Sequence, residues 1–463
     1  MAERIPIQLG MRQEKARSRF VSSQSLVNCT AEQVPDSGWA IYGGPGLDEF
    51  SEVGDGPIRG VHDYNGTLLT VSGGVLYSVD TNGTETEIGA VAGYDPVIMA
   101  NNGAEVAIVS DSTSYVYDGS TLTAINDTDF RTAGSVDFLK QVLIFTEKNS
   151  GRFFTSELAD ATSYSALDVA TAEAKPDKLR RVLVSGNEAL LFGEKSVEGY
   201  YFSGKPNGVP LSPTQTYLDY GLAGRDAVTA IDNTVAWLSH LLDIRTLRDQ
   251  SPIAIADPAI TAMIQGWTNP ETAKAFTFAI GGHEWMAIRH AQGCAIWDAT
   301  TQLWSMRESQ NMSTWRVDSN VWCYNKNIMG DATEGKLWTL NPNTHKEGTN
   351  SLIRTITTRT LGPGGAPFTL ETVEIEVEVG VGIASGQGSA PVIWMQLSRD
   401  SGETWGARME RSLGAMGNRN LRVIFGGPFG DFLPHGGVIR FGCSDPVRFV
   451  ATKAFAEITV NRP

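Results

Sequence analysis

Val61-His-Asp-Tyr-Asn-Gly-Thr-Leu-Leu-Thr-Val-Ser-Gly-Gly-Val-Leu-Tyr-Ser-Val79 contains a clean hairpin. Thr67 to Val71 forms one strand, Ser72-Gly73-Gly74 the turn, and Val75 to Val79 the returning strand. Asp80-Thr-Asn-Gly83 follows, then another short strand ending near Val91. The same cadence returns at Glu105 to Val109 with Tyr115 to Tyr117 and Leu122 to Ile125, and again at Gln141 to Phe145 with Arg152 to Phe154. It recurs at Val182 to Val184 with Ala189 to Phe192 and Gly199 to Phe202. Three more units centre on Val235 to Leu238, on Trp285 to Ile288 with Ala295 to Trp297, and on Trp322 to Tyr324 with Lys336 to Leu340. A unit of roughly 35 to 45 residues is the period of a propeller blade. A small antiparallel sheet cannot bury both faces alone, and a closed ring of such sheets covers them while leaving only short edges. The reading is an all-β chain with a propeller over 51–342, of six or seven blades because the last unit is the weakest.

Outward from that repeat, the composition agrees. The chain has 463 residues, 41% hydrophobic and 19% charged, with 49 glycines. That excludes wholesale disorder and indicates many turns. The 37 basic and 52 acidic residues give a net charge of −15, too acidic for a general nucleic-acid coat. Cys29, Cys294, Cys323 and Cys443 are widely spaced with no C-x-x-C pair, so they read as reduced thiols of a chain assembled in a cytosol. No apolar h-region opens the sequence and no run reaches about 18 apolar residues, so neither a signal peptide nor a membrane insertion is expected.

Residues 1–50 show no clear periodicity and end on Gly43-Gly44-Pro45-Gly46. They read as an N-terminal arm or linker, locally basic at Arg12, Lys15, Arg17 and Arg19, which makes those four side chains candidates for partner contact. Beyond the turn-rich stretch Asn341 to Asn350, residues 343–463 read as a C-terminal antiparallel β domain, sandwich-like. Its clearest strand is Glu371 to Val379, with Glu374, Glu376 and Glu378 on one face and Val373, Ile375, Val377 and Val379 on the other. From 345 onward 12 Lys/Arg meet 11 Asp/Glu, leaving 25 against 41 before it. The negative charge therefore belongs to the arm and propeller.

Candidate chemistry is sparse. Gly199-Tyr-Tyr-Phe-Ser-Gly204-Lys205-Pro206 nearly spells a phosphate-binding loop, but Pro206 supplies neither the hydroxyl nor the N–H that such a loop needs. His283 and His290 are seven apart, so on one strand they face opposite ways and cannot share a metal ion. The glutamate row 374/376/378 lacks the tight loop of a calcium site and reads as a solvated face. Ser398-Arg-Asp400-Ser-Gly402-Glu-Thr404-Trp405 matches the Asp-box pattern S-x-D-x-G-x-T-W in full. That pattern is a structural turn: Asp400 caps N–H groups, Gly402 supplies positive φ and Trp405 packs beneath. Ser398 and Thr404 complete it. It occurs in sialidase-like propellers, which would also need an arginine cluster and a Tyr/Glu nucleophile pair. No catalytic residue, cofactor or metal site is expected.

A family likeness rests on residues in order along the chain. Asn28, Gly44-Pro45-Gly46-Leu47, Gly56-Pro57-Ile58-Arg59-Gly60, Gly73 to Tyr77, and Asn102-Gly103 with Ala107-Ile108-Val109 and Tyr115-Val116-Tyr117-Asp118 come first. Ser398 to Trp405, Arg411-Ser412-Leu413-Gly414 and Ser444-Asp445-Pro446-Val447 come near the end. From about 25 to the end the chain resembles the packaged-DNA stabilisation proteins of short-tailed bacteriophages, also called tail nozzle or hub proteins. The resemblance implies a virion structural protein and not an enzyme, made and assembled in the host cytoplasm. It implies a homo-hexameric ring below the portal and its adaptor, with a tail needle or plug and tailspikes or fibres as neighbours. Packaged double-stranded DNA would pass through the channel without sequence-specific binding, retained at first and released on ejection. The alternatives are a sialidase-like carbohydrate-active enzyme and a non-viral propeller binding scaffold.

Overall fold

A computed structural model describes residues 2–14, 22–34, 38–111, 113–172, 175–205, 207–362, 366–434 and 436–461. The chain is all-β, a propeller followed by a sandwich. The propeller has seven blades, each a four-stranded antiparallel sheet. Their innermost strands are Ile58–Tyr64, Ile98–Asn101, Ala133–Leu139, Leu179–Ser185, Val228–Ile231, Lys274–Ile280 and Val317–Cys323. Each touches the next, and the seventh touches the first, so the ring closes.

The period of two explains how one blade serves two neighbours. In blade 1, Leu69 and Val71 point toward blade 2 and pack with Val106, Ile108 and Tyr117. Leu68 and Val79 point the other way and pack with Cys323, Ile328 and Leu337 of blade 7. Each such side chain, once fully buried, contributes about 1.5–3 kcal/mol.

Within residues 1–50, expected as an arm, the described residues are built into both domains. Four strands, β1 (Glu3–Ile7), β2 (Ser25–Val27), β3 (Cys29–Val34) and β4 (Gly38–Gly43), belong to the sandwich, and β5 (Gly46–Glu52) is the outermost strand of blade 7. Strand β5 pairs with Lys336–Asn341, so the N-terminal segment closes the ring of blades. This explains why the seventh unit looked weak: its own stretch of sequence holds three strands, and the fourth lies almost 300 residues earlier.

One sandwich sheet runs β3, β4, Val450–Val460, Phe368–Val377, Val423–Phe432, with β1 also on Val450–Val460. The other runs β2, Arg354–Thr357, Val438–Cys443, Val392–Ser398, Met409–Ser412. Ile7, Ile41, Val373, Ile375 and Phe425 from the first meet Leu26, Ile356, Ile393 and Phe441 from the second. Along Phe368–Val377 the alternation holds, with Val373 and Ile375 buried and Glu376 exposed. Glu374 is not simply solvated: it pairs with Arg4 at 3.0 Å and Arg422 at 2.8 Å. Glu378 likewise pairs with Arg448.

The two domains share a sheet. Strand β2 adds in parallel to Trp304–Met306, the outer strand of blade 6, so one nine-stranded sheet crosses from propeller to sandwich. Asn28 fastens the crossing, donating from Nδ2 to the carbonyls of Glu308 (2.9 Å) and Ile353 (2.8 Å) and accepting the N–H of Glu308 on Oδ1.

Candidate interaction surfaces

The turn Ser398 to Trp405 has the hydrogen bonds of a structural cap. The N–H of Thr404 donates to Asp400 Oδ1 (2.8 Å), the Ser398 hydroxyl donates to the same oxygen (2.7 Å), and the N–H of Gly402 donates to Ser398 Oγ (2.7 Å). Gly402 has φ +89°, as the turn requires. The Thr404 hydroxyl and N–H, then the Ser398 hydroxyl, pull the Asp400 carboxyl down to about 2. The Arg440 guanidinium lies 3.8 Å from the Trp405 ring centroid. The hydrogen bonds that the Asp400 carboxylate accepts come from its own loop.

Two further turns of this kind sit in blades 6 and 7 and were not singled out in the sequence. Asp298 accepts the N–H of Thr300 and the hydroxyl of Thr301, and Asp331 accepts the N–H groups of Thr333 and Glu334. Their shared signal is Asp-Ala-Thr followed by Trp304 or Trp338. Asp331 is fully buried and also receives Arg316 Nε (2.7 Å) and Trp338 Nε1 (2.9 Å). Burial raises its carboxyl, but the Thr333 N–H and the Arg316 guanidinium outweigh that and hold it below the usual range.

The histidines do not converge. His283 opens the strand His283–His290 and bonds Asp298 at 2.8 Å, while His290 ends it and stacks on Trp267. Gly199 lies inside the strand Val197–Phe202, so no loop forms there to cradle a phosphate, and Pro206 lies outside the described residues. Of the four basic N-terminal candidates, Arg12 pairs with Glu14 (3.1 Å) and approaches Asp257 (3.9 Å) within its own chain. Lys15, Arg17 and Arg19 lie outside the described residues. Among the described residues no group of acidic, His or Cys side chains is arranged to hold a metal ion, and no helix is long and apolar enough to cross a membrane.

The two ends of the propeller differ in charge. Where the innermost strands begin stand Arg59, Arg131, Arg225, Lys274 and Arg316, each with a partner in its own chain. Arg59 donates to the carbonyls of Gly73, Val91, Ala92 and Asp95. Arg131 faces Glu147 (3.8 Å), Arg225 faces Asp226 (3.2 Å), Lys274 binds Asp318 and Arg316 binds Asp331. At the other end the first turn of each blade brings Asp63, Glu105, Glu188, Asp232 or Glu284, with Lys140 and Lys326 in the remaining two. Asp80, Asp118 and Asp160 join them from the third turns. None of these eight carboxylates has an ion-pair partner among the described residues; those with recorded contacts are held by turn N–H groups, hydroxyls, Asn102 and the Cys323 thiol. The first and third turns thus give this end a row of carboxylates without ion-pair partners among the described residues. On the axis itself lies a cavity of about 370 Å³, lined by Arg181, Asp226, Lys274 and Asp318 among others.

A seven-bladed propeller joined through a continuous sheet to a sandwich is the two-domain architecture of one family of phage structural proteins. A family model described as "Bacteriophage P22 Gp10, beta-propeller" matches residues 3–345, and one described as "Bacteriophage P22 Gp10, beta-sandwich" matches residues 353–458. The chain belongs to this family, that of the tail nozzle and DNA-stabilisation protein of a podovirus. A search of curated protein sequences finds no match. Among solved structures, a virginiamycin B lyase from Staphylococcus aureus is 10% identical over 68% of this chain and 98% of its own, with a TM-score of 0.44. The computationally designed Ika8 protein is 12% identical over 63% of this chain and 99% of its own, with a TM-score of 0.40. Likenesses at that level carry no functional argument.

Proposed function

We propose that the chain is a non-enzymatic component of the phage tail that forms a ring, a hexamer, below the portal and its adaptor. In this reading the ring extends the DNA channel, holds the packaged genome until ejection, and neighbours a needle or plug and the tailspikes or fibres. The family supports the structural role. The observation that carries the channel reading is the acidic end of the propeller, whose carboxylates are left without cations among the described residues.

Each Lys or Arg that neutralises a phosphate releases counterions and adds affinity, so a basic lining would brake a sliding duplex. A wall of unpaired carboxylates makes no such contact. We assign the acidic end to the lumen of the ring; retention of the genome is then mechanical. In this reading the duplex runs through the ring of copies and not along one propeller's own axis, round which the innermost strands of neighbouring blades touch.

The test is a cryo-electron reconstruction of the assembled tail. A ring of six copies below the adaptor with Asp63, Asp232 and Glu284 toward the lumen is the expected result. A monomeric chain, or a ring whose lumen is lined by arginines, would overturn it.

A further inference from the structure

The joint between propeller and sandwich holds a cleft, walled by side chains from the cores of both domains. It measures about 220 Å³ and lies between blade 6, the start of blade 7 and the strands β3 and β4. Its walls are aromatic: Phe278, Trp285, Trp315 and Phe449. A cavity of about 150 Å³ already accommodates a benzene ring, so this one has room for a ring and a small polar group.

The polar group it would take is set by the arginines. Arg307 lines the cleft and is almost fully buried, with Nη2 spent on the carbonyl of Pro45 and, at 3.4 Å, on Glu347. Its Nη1 meets no acceptor among the described residues. A Cβ on Gly44 would come within 2.6 Å of that nitrogen, so the bare backbone at position 44 leaves room for it. Arg354, one layer behind Gly43, is fully buried and among the described residues donates only to the carbonyls of His345, Asp445 and Val447. A buried guanidinium without a carboxylate is costly. Burial, then the charges of Arg354 and Arg448, push His345 down to about 4, as an electropositive surrounding should. Of the acids nearby, Glu347 is held by Arg307, Glu378 by Arg448, and Glu32 stands half-exposed among the lining residues.

We propose that this cleft binds an organic carboxylate on an aromatic body, its ring between Phe278, Trp285 and Phe449 and its carboxylate on Arg307 Nη1. The same chemistry comes from a free arylalkanoic acid or from the carboxyl terminus of a polypeptide ending in phenylalanine. The inference stands apart from the ring and the DNA channel.

The experiment is calorimetric titration of the full chain at about 0.15 M salt with 3-phenylpropionate, its amide, and a hexapeptide ending in phenylalanine as free acid or as amide. A charge-assisted bond is about twice as strong as a neutral one, so an acid should bind at least about tenfold tighter than its amide. Thr30→Trp, which fills the cleft from β3 and leaves every arginine in the sequence, should abolish binding with an unchanged melting curve. Peptide acid tighter than free acid identifies a polypeptide terminus, and the reverse identifies a small molecule. No binding by either acid, equal binding of acid and amide, or binding that survives in a folded Thr30→Trp variant would each overturn the proposal.

Discussion

Deleting residues 2–44 separates the two roles of the N-terminal segment. An arm could be removed without harm to the fold; the strands observed cannot. The deletion takes Ile7, Leu9, Leu26 and Ile41 out of the sandwich core, all nearly or fully buried. At about 1.5–3 kcal/mol each, that is a loss of about 6–12 kcal/mol, against about 5–15 kcal/mol for a whole domain's stability. It also strips Val450–Val460 of β1 and β4 along one edge and removes the Asn28 bracket to Glu308 and Ile353. Strand β5 is left in place, so blade 7 stays closed. Limited proteolysis read by mass spectrometry should show rapid cleavage within residues 353–458 while 58–341 resists. Extending the deletion through residue 52 removes β5 and should expose blade 7 as well. If the 2–44 deletion keeps a protected sandwich and the wild-type urea midpoint, the strand assignment of the N-terminal segment is wrong.

Asp331→Asn should destabilise the propeller by about 3 kcal/mol, since it leaves the buried Arg316 with only Glu334 at 3.4 Å; urea unfolding measures this. Because the Asp331 carboxyl is depressed in the folded state, its contribution is complete above the ordinary carboxylate range and lost as pH falls through the lower folded value. The wild type should therefore lose stability on acidification more steeply than the variant. Asp400→Ala should cost the sandwich about 1 kcal/mol, because the turn bonds it removes are exposed; an unchanged denaturation midpoint would contradict the capping role. Wild-type protein should show no duplex binding at about 0.15 M salt, where charges are screened beyond about 8 Å. The triple substitution Asp63→Lys, Asp232→Lys and Glu284→Lys should create binding that falls with added salt, and a filter-binding assay distinguishes the two.

The blades were legible because a blade is local. Thr67 to Val79 carries its own turn chemistry and its own alternation, and its hydrogen-bond partners lie within a few residues. The strand with Val373 and Ile375 was legible for the same reason. The N-terminal strands were not. Strand β2 has three residues, and β4 carries Gly38 and Gly43, so neither shows a period; β4 forms a hairpin with β3, but what ties both strands into the sandwich is pairing with strands more than 250 residues away. The Asp400 turn could be read from eight consecutive residues, whereas Asp331 needed Arg316 and Trp338 to be brought beneath it. The cleft between the domains was invisible because Asn28, Phe278, Trp315, His345 and Phe449 meet only after the chain has gone round the ring and returned.

That return path bears on how such a protein could withstand pressure from a packaged genome. The chain begins in the sandwich, crosses through β5 into blade 7, runs round all seven blades and re-enters the sandwich beside its own beginning. The two crossings between the domains cannot open without disturbing both, because β5 closes the ring and β2 carries the sheet across. An opening at the crossing must therefore disrupt a shared sheet, which places the joint toward the stable end of the protein's opening free energies. The outer edges of the remaining blades are blunted by ordinary devices: Glu85 and Glu87 in blade 1, a three-residue strand in blade 2, a register shift in blade 3, and Pro213 and Pro252 in blades 4 and 5. Edge-to-edge strand addition is thus disfavoured at these five blades. Copies that met through these blades would do so through side-chain surfaces, and the acidic end, self-repelling between like copies, is the part of the propeller least suited to such a contact.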